Sequence, residues 1–192
     1  MSQRLFVGIA LTEPVRDALA GCLLEQRVRE LAPSALRWLP PENWHLTLQF
    51  LGAVQEDRIA AVRAACQRAA LGQGGFELEL AGAGAFGSPR RARIVWIGVA
   101  RGDDQLAALA ESLFTQTEPL GFEREQRAYR GHATVARLKT PTRVEALLAA
   151  IRVPPLSMAV HELTLFRSHT SSQGARYEPL ASWPLVDIRA IP

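Results

Sequence analysis

The sequence predicts a mixed fold of class α/β or α+β, in which one unit of strands and helices occurs twice. Segments with the composition of buried strands alternate with segments that have helical periodicity. The same order of elements repeats after about 90 residues, a period too long for a solenoid. The 192 residues are 48% hydrophobic with a formal net charge of +3, a balance that excludes a disordered chain. No apolar run reaches the roughly 18 residues that a membrane helix requires.

The first half of the chain opens with a short apolar segment at 4–11 that is bounded by charge and predicts a buried strand. Thr12 then caps a helix, with Glu13 and Pro14 in its first turn, and Pro33 stops this helix after about residue 31. The other elements predicted in this half are strands at 37–39 and 44–51, a helix at 55–71 and a strand at 76–86.

The second half continues this alternation after a turn at 87–89. Thr140 and Pro141 have the composition of a helix start and predict a helix to about Ile151. The other elements predicted in this half are strands at 93–100, 131–138, 156–166 and 176–183 and a helix at 103–117.

The repeat is defined by matching short sequences in the two halves. The strand around Gly8 resembles the strand around Gly98, and each is followed by a helix and then by a strand with a His-x-Thr sequence. Each of these strands is followed by a helix and a strand that ends in Phe-x-Ser, at 86–88 and 166–168. We interpret this as a duplicated lobe, with the two copies packed about a pseudo-twofold axis.

The two His-x-Thr sequences, at 45–47 and 132–134, carry the chemistry of the prediction. Alternate residues of a strand point to the same face, so His45 projects with Thr47, and His132 projects with Thr134. Displacement at phosphorus needs a base for the nucleophile and an acid for the leaving oxygen, and two facing imidazoles supply both. The threonine hydroxyls can donate hydrogen bonds to phosphate oxygens.

A zinc site is the rival interpretation of the two histidines. No third His, Cys or acidic residue recurs with them, so we expect no metal. His161 and His169 lie outside both motifs. The two cysteines, Cys22 and Cys66, lack metal-ligand spacing and indicate reduced thiols in a cytoplasmic protein.

The motifs resemble those of a known family. The sequences RW at 37–38, PENWHLTLQFLG at 41–52 and HATVAR at 132–137 are similar to the motifs of bacterial RNA 2′,3′-cyclic phosphodiesterases. These enzymes belong to the two-histidine (2H) phosphoesterase superfamily and were formerly described as 2′-5′ RNA ligases. The resemblance extends over essentially the whole chain. Two departures are Gly131, where the family commonly has proline, and Ala133, which is smaller than the usual aliphatic residue.

The resemblance implies an α+β fold and an activity. The fold is a single domain over 1–192 with two lobes, each an antiparallel sheet with outer helices, and a central cleft. The activity is hydrolysis of an RNA 2′,3′-cyclic phosphate to a 2′-phosphomonoester, which can also run in reverse as 2′-5′ ligation without ATP. His45 is then the proton donor to the leaving 3′ oxygen and His132 the proton acceptor from water, while Thr47 and Thr134 hold the phosphate.

Three further residues are candidates for substrate binding. Phe50 and Arg137 resemble family positions near the base, although strict strand alternation puts both on the face opposite the histidines. A bulge or strand end would reconcile these two expectations. Arg130 belongs to a basic stretch with Arg124 and Arg127 that is predicted to track the RNA backbone.

The expected partner is RNA with a 2′,3′-cyclic phosphate end, tRNA fragments included. We expect no cofactor, no membrane association and no obligate protein partner, hence a monomer. Two alternatives stay open: a relative that acts on small cyclic phosphates, such as a cyclic mononucleotide or an ADP-ribose cyclic phosphate, and an inactive RNA- or nucleotide-binding relative. The presence of both histidines and both threonines argues against the inactive relative.

Overall fold

Nine strands join into one sheet in the computed structural model, which describes residues 1–124, 128–171 and 174–186. The pairings between these strands are antiparallel, so the predicted α+β class is confirmed. The strands are β1 (Ser2–Ala10), β2 (Leu36–Trp38), β3 (His45–Gln55), β4 (Phe76–Phe86), β5 (Ala92–Arg101), β6 (His132–Thr142), β7 (Leu156–Val160), β8 (Glu162–Ser171) and β9 (Gly174–Pro184). The α-helices are α1 (Glu13–Leu24), α2 (Gln26–Leu31), α3 (Ile59–Ala70), α4 (Asp103–Thr117) and α5 (Glu145–Ala150).

Three predicted elements differ from the structure. The predicted helix at 12–31 is two helices, because Glu25 has an extended backbone (ψ 139°) between α1 and α2. The predicted helix start at Thr140 is wrong: β6 continues to Thr142, and a residue that precedes proline favours the extended conformation. The predicted strand at 156–166 breaks at His161, so that β7 pairs with β4 while β8 pairs with β1.

The strand order β7-β4-β5-β6-β3-β1-β8-β9 divides the sheet into two halves of four strands, with β2 beside β6. The halves meet where β3 pairs with β6, at Leu46 and Ala133. They do not follow the order of the chain. Strand β4 pairs with β5, and β8 returns to pair with β1, so each half of the sheet takes strands from both halves of the sequence.

The core lies between the sheet and the helices. Helices α3 and α4 pack on each other and on β8 and β3 respectively, while α1 packs on β7 and α5 on β4. Strand β1 is the most buried strand, with Leu5, Val7 and Ile9 almost inaccessible. Gly8 permits its close pairing with β3, because a Cβ there would lie 2.5 Å from the carbonyl oxygen of Leu46. None of the helices in the described ranges is long and apolar enough to cross a membrane.

Candidate active site

The two His-x-Thr sequences lie side by side at the junction of the sheet halves. Leu46 and Ala133 are paired and fully buried, so both point into the core. Because β3 and β6 are antiparallel, the flanking positions bring His45 towards Thr134 and Thr47 towards His132. The four polar side chains therefore share the face of the sheet opposite the core, which we call the histidine face.

Each imidazole is oriented by a backbone carbonyl two residues before it. Nδ1 of His45 donates to the carbonyl of Asn43 at 2.7 Å, and Nδ1 of His132 donates to the carbonyl of Arg130 at 2.8 Å. A carbonyl can only accept, so in the neutral ring Nδ1 carries the hydrogen and Nε2 is the free base. Nε2 of His45 accepts from the hydroxyl of Thr47 at 3.1 Å. Both rings can thus exchange a proton through Nε2.

Asn43, whose carbonyl orients His45, is buried, and its side-chain amide forms two further hydrogen bonds. The side chain of Asn43 is 3% exposed and donates from Nδ2 to the carbonyl of Ala175 at 2.6 Å. Its Oδ1 accepts from the backbone N–H of Tyr177 at 3.2 Å. Sequence reasoning gave Asn43 no role, since its partners lie on β9, more than 130 positions away along the chain.

Aromatic rings surround the first imidazole. The centroid of the His45 ring lies 4.6 Å from that of Phe6, 4.9 Å from that of Tyr177 and 5.9 Å from that of Phe166. Phe6 in turn stacks on Phe166 at 5.0 Å. This packing restricts the rotation of the imidazole.

The second imidazole has an equivalent environment on β4 and β5. The centroid of the His132 ring lies 4.6 Å from that of Phe86 and 6.3 Å from that of Trp96. These aromatic residues lie on strands that are equivalent in the sequence repeat: Phe86 corresponds to Phe166, and the strand of Trp96 corresponds to the strand of Phe6. The repeat alone does not indicate that their rings surround the two histidines.

Burial sets the protonation of both histidines. It lowers the pKa of His45 from 6.5 to about 4. The hydrogen bond to the carbonyl of Asn43 has the opposite effect and raises this pKa, while the charges of His132 and Arg137 lower it further. Burial also lowers the pKa of His132, again against a carbonyl that raises it, that of Arg130. Both rings are therefore neutral at pH 7 in the free protein. An anion bound between them would raise both pKa values and so favour a protonated ring.

Bulges in the strands bring Phe50 to the histidine face. The pairing of β1 with β3 skips Leu48 and Leu51, so the alternation of buried and exposed residues shifts along β3. Phe50 is 71% exposed, and its ring centroid lies 6.1 Å from that of Phe6, which also packs on His45. The expectation from strict alternation, that Phe50 faces away from the histidines, is wrong for this reason.

The same irregularity occurs on β6 beside Arg137. The pairing with β5 skips Val135, and Val135 and Ala136 are consecutive fully buried residues. Arg137 is therefore exposed on the histidine face, close enough for its charge to act on His45. Phe50 and Arg137 each follow their histidine by five positions, so they are equivalent residues of the two motifs.

The described arginines of the predicted basic stretch differ in their surroundings. Arg124 forms an ion pair with Glu111, and its guanidinium lies 4.4 Å from the ring centroid of Phe114. Arg130 is exposed, and its carbonyl orients His132. Arg127 lies outside the described residues.

Gly131 is held by a hydrogen bond that a proline could not make. Its N–H donates to Oδ1 of Asp103, at the start of α4, at 2.8 Å. This bond fixes the turn that carries the Arg130 carbonyl. A Cβ at residue 131 would lie 2.7 Å from Oδ1 of Asp103 and 2.9 Å from side-chain carbons of Leu106 and Val99.

We expect Gly131→Ala to lower the free energy of unfolding by about 1–3 kcal/mol, because the new methyl group overpacks this site. Gly21→Ala is the matched control: nothing lies within 4 Å of its Cβ position in α1, so alanine should stabilise by about 0.5–1 kcal/mol. Urea denaturation of both variants measures the difference. Equal changes in the two would contradict the close packing at Gly131.

Among the residues that the structure describes, no three His, Cys, Asp or Glu side chains lie together in an arrangement that could hold a metal ion.

Known proteins match this chain along nearly its full length. A family model described as the 2′-5′ RNA ligase superfamily matches residues 15–171. The RNA 2′,3′-cyclic phosphodiesterase of Methanothermobacter thermautotrophicus is 33% identical over 181 residues, which cover 92% of this chain and 96% of that protein. The Escherichia coli protein of the same name is 32% identical over 188 residues, which cover 96% and 97%. The crystal structure of E. coli LigT complexed with 3′-AMP matches with a TM-score of 0.76 at 32% identity and covers 97% of this chain and 99% of its own. The chain therefore belongs to the 2′-5′ RNA ligase superfamily.

Proposed function

We propose that this protein hydrolyses the 2′,3′-cyclic phosphate at an RNA end to a 2′-phosphomonoester. The observation that carries the proposal is the pair of imidazoles on adjacent strands, each with Nδ1 bonded to a carbonyl and Nε2 left for proton exchange. Relatives over nearly the whole length are named RNA 2′,3′-cyclic phosphodiesterases, which supports a cyclic phosphodiester as substrate. LigT of E. coli binds 3′-AMP, a nucleotide with a phosphate on the ribose.

The proposed reaction is an in-line displacement at phosphorus. His132, neutral at Nε2, takes a proton from water as the water oxygen attacks the phosphorus atom. The bond between phosphorus and the 3′ oxygen breaks, and His45, protonated at Nε2, gives its proton to that oxygen. One P–O bond forms and one breaks, and each histidine ends in the protonation state in which the other began.

The threonines are proposed to hold the phosphate. Thr47 donates its hydroxyl to Nε2 of His45 in the free protein. When His45 is protonated, Nε2 no longer accepts this bond, and the hydroxyl is free to donate to a non-bridging oxygen. Thr134, at the equivalent position on β6, has the same role towards the other side of the phosphate.

The two imidazoles perform both proton transfers, so the proposed reaction needs no metal. The same site can use a different nucleophile: with a 5′-hydroxyl in place of water, His132 takes the proton of that hydroxyl, the 3′ oxygen leaves with the proton of His45, and the product is a 2′-5′ linkage formed without ATP. Cleavage of that linkage back to the cyclic phosphate is the reverse of this step.

The test is to incubate the protein with a synthetic RNA that ends in a 2′,3′-cyclic phosphate, in buffer with EDTA. We expect multiple turnovers and a single product, whose 2′-phosphomonoester is identified by ³¹P NMR. A 3′-phosphomonoester would contradict the proposed leaving group. Loss of activity in EDTA with recovery on addition of Zn²⁺ or Mn²⁺ would instead assign the protein to the metal-dependent hydrolases.

A further inference from the structure

Asp103 supplies the partner of a buried backbone group beside the second histidine. Its Oδ1 accepts from the N–H of Gly131 at 2.8 Å, and Gly131 is buried. A buried N–H without a partner is costly, so this carboxylate determines where the peptide between residues 130 and 131 lies. The carbonyl of the same peptide, that of Arg130, accepts from Nδ1 of His132 at 2.8 Å. One peptide thus connects a carboxylate to the imidazole.

The corresponding peptide behind His45 has a different partner. Its carbonyl, that of Asn43, accepts from Nδ1 of His45 at 2.7 Å. Its N–H, that of Trp44, donates to the backbone carbonyl of Pro41 at 3.1 Å. The hydrogen bonds behind His45 therefore end on a neutral group, whereas those behind His132 end on a carboxylate.

This difference favours a positive charge on His132. Groups joined by consecutive hydrogen bonds polarise one another, so a carboxylate on the N–H makes the carbonyl of the same peptide a better acceptor. A better acceptor at Nδ1 stabilises the ring when Nε2 takes up a proton. The neighbouring phenol of Tyr129 adds no negative charge, because burial and the charge of Asp103 raise its pKa. Its hydroxyl stays protonated and donates to the carbonyl of Thr47 at 3.1 Å.

We propose that Asp103 is a positioning residue for the base of the reaction and acts on His132 through the peptide between residues 130 and 131. This inference rests on the proposed function, and it gives a structural reason why His132, and not His45, takes the proton from water. The carboxylate fixes the peptide, the peptide carbonyl holds the hydrogen on Nδ1, and Nε2 is left as the basic nitrogen. Proline, which the family commonly has at position 131, has no N–H and could not make this connection.

The kinetic test compares two variants of Asp103 on RNA with a 2′,3′-cyclic phosphate end. Asp103→Ala removes the acceptor, so kcat should fall by about 10–10², the effect of a misplaced reacting group, with KM little changed. Asp103→Asn keeps an Oδ1 acceptor without the charge and should recover most of this loss. Asp104→Ala is the matched control, because Asp104 is exposed in the same first turn of α4, and it should keep the kcat of the unmodified protein.

NMR of the ring nitrogens of His132 as a function of pH separates positioning from a loss of stability. In the unmodified protein Nδ1 should carry the hydrogen of the neutral ring. In Asp103→Ala both neutral tautomers should be populated, because the carbonyl of Arg130 is no longer fixed. In Asp103→Asn the hydrogen should stay on Nδ1, and the pKa of His132 should fall below that of the unmodified protein. A loss of stability alone would change neither quantity in the folded protein.

A folded Asp103→Ala protein that keeps its kcat and the Nδ1–H tautomer would overturn the proposal, as would an equal loss of kcat in Asp104→Ala. If Asp103→Ala does not fold, the decision falls to Asp103→Asn: the pKa of His132 must fall in this variant and stay unchanged in Asp104→Ala.

Failure of the proposed function has a different signature, the absence of turnover of the cyclic-ended RNA by the unmodified protein. The NMR comparison needs no turnover. A change of tautomer in Asp103→Ala would then still support the connection between Asp103 and His132, and an unchanged tautomer would reject it.

Discussion

Replacement of either His45 or His132 by alanine should lower kcat/KM on RNA with a 2′,3′-cyclic phosphate end by about 10²–10⁴, the usual contribution of one positioned proton transfer. In the proposed reaction each imidazole performs one of the two transfers through Nε2, and alanine leaves no group within reach of the same proton. The double variant should lose less than the product of the two single losses, because the residues act as a unit on one transition state. Steady-state kinetics on the three variants measure these losses.

His161→Ala is the matched control, because His161 is exposed between β7 and β8 and lies outside both motifs. It should keep the activity of the unmodified protein. Circular dichroism and urea denaturation test whether the His45 and His132 variants are folded. A folded His45→Ala or His132→Ala protein with near-full activity would refute acid–base catalysis by this pair.

A second large effect should separate the acid from the base. A thymidine 3′-(4-nitrophenyl phosphate) releases a stabilised phenolate that needs little protonation, so it makes the proton donor dispensable. On this substrate His45→Ala should recover most of its lost rate, whereas His132→Ala should remain about 10²–10⁴ below the unmodified protein. Release of nitrophenolate is followed by its absorbance. Recovery in His132→Ala alone would exchange the two roles.

The pH dependence follows from the lowered pKa values of the two histidines. In the proposed reaction the donor His45 must be protonated, and its pKa is about 4 in the free protein, so kcat/KM should decrease as pH rises above that range. The proposed acceptor His132 must be neutral, and its pKa is also below 6.5, so its protonation should remove activity at low pH. The profile for a cyclic phosphate is therefore a bell with its maximum below pH 6.5, whose limbs belong to the coupled pair. In His45→Ala with the nitrophenyl substrate the limb at high pH should disappear.

The motif chemistry could be predicted from sequence because it depends on local geometry. The interval of two between His and Thr puts both side chains on one face of any strand, whichever strands are its neighbours. The roles assigned to His45, Thr47, His132 and Thr134 stay predictions until they are measured. The family and the antiparallel α+β fold, in contrast, are confirmed by the comparisons and the strand pairings.

Features that depend on distant strands could not be predicted. The positions of Phe50 and Arg137 result from bulges against β1 and β5, and the pairing partner decides where a strand bulges. Asn43 has a role only because β9 supplies a carbonyl and an N–H to its amide. The end of β6 was missed because a Thr-Pro sequence is compatible both with a helix start and with an extended strand.

The exchange of strands between the two halves of the sheet has a consequence for how the molecule acquires its activity. Strand β1 is synthesised well before one of its two neighbours, β8, is available to pair with it. Until then one edge of β1 lacks its partner, and the imidazole of His45 lacks Phe166 and Tyr177. Because the loop between β1 and β8 must close before their contacts stabilise the fold, folding is governed by long-range pairing and is expected to be slow and cooperative. Neither sequence repeat is therefore expected to fold alone, and the surroundings of His45 are complete only after β8 and β9 have joined the sheet.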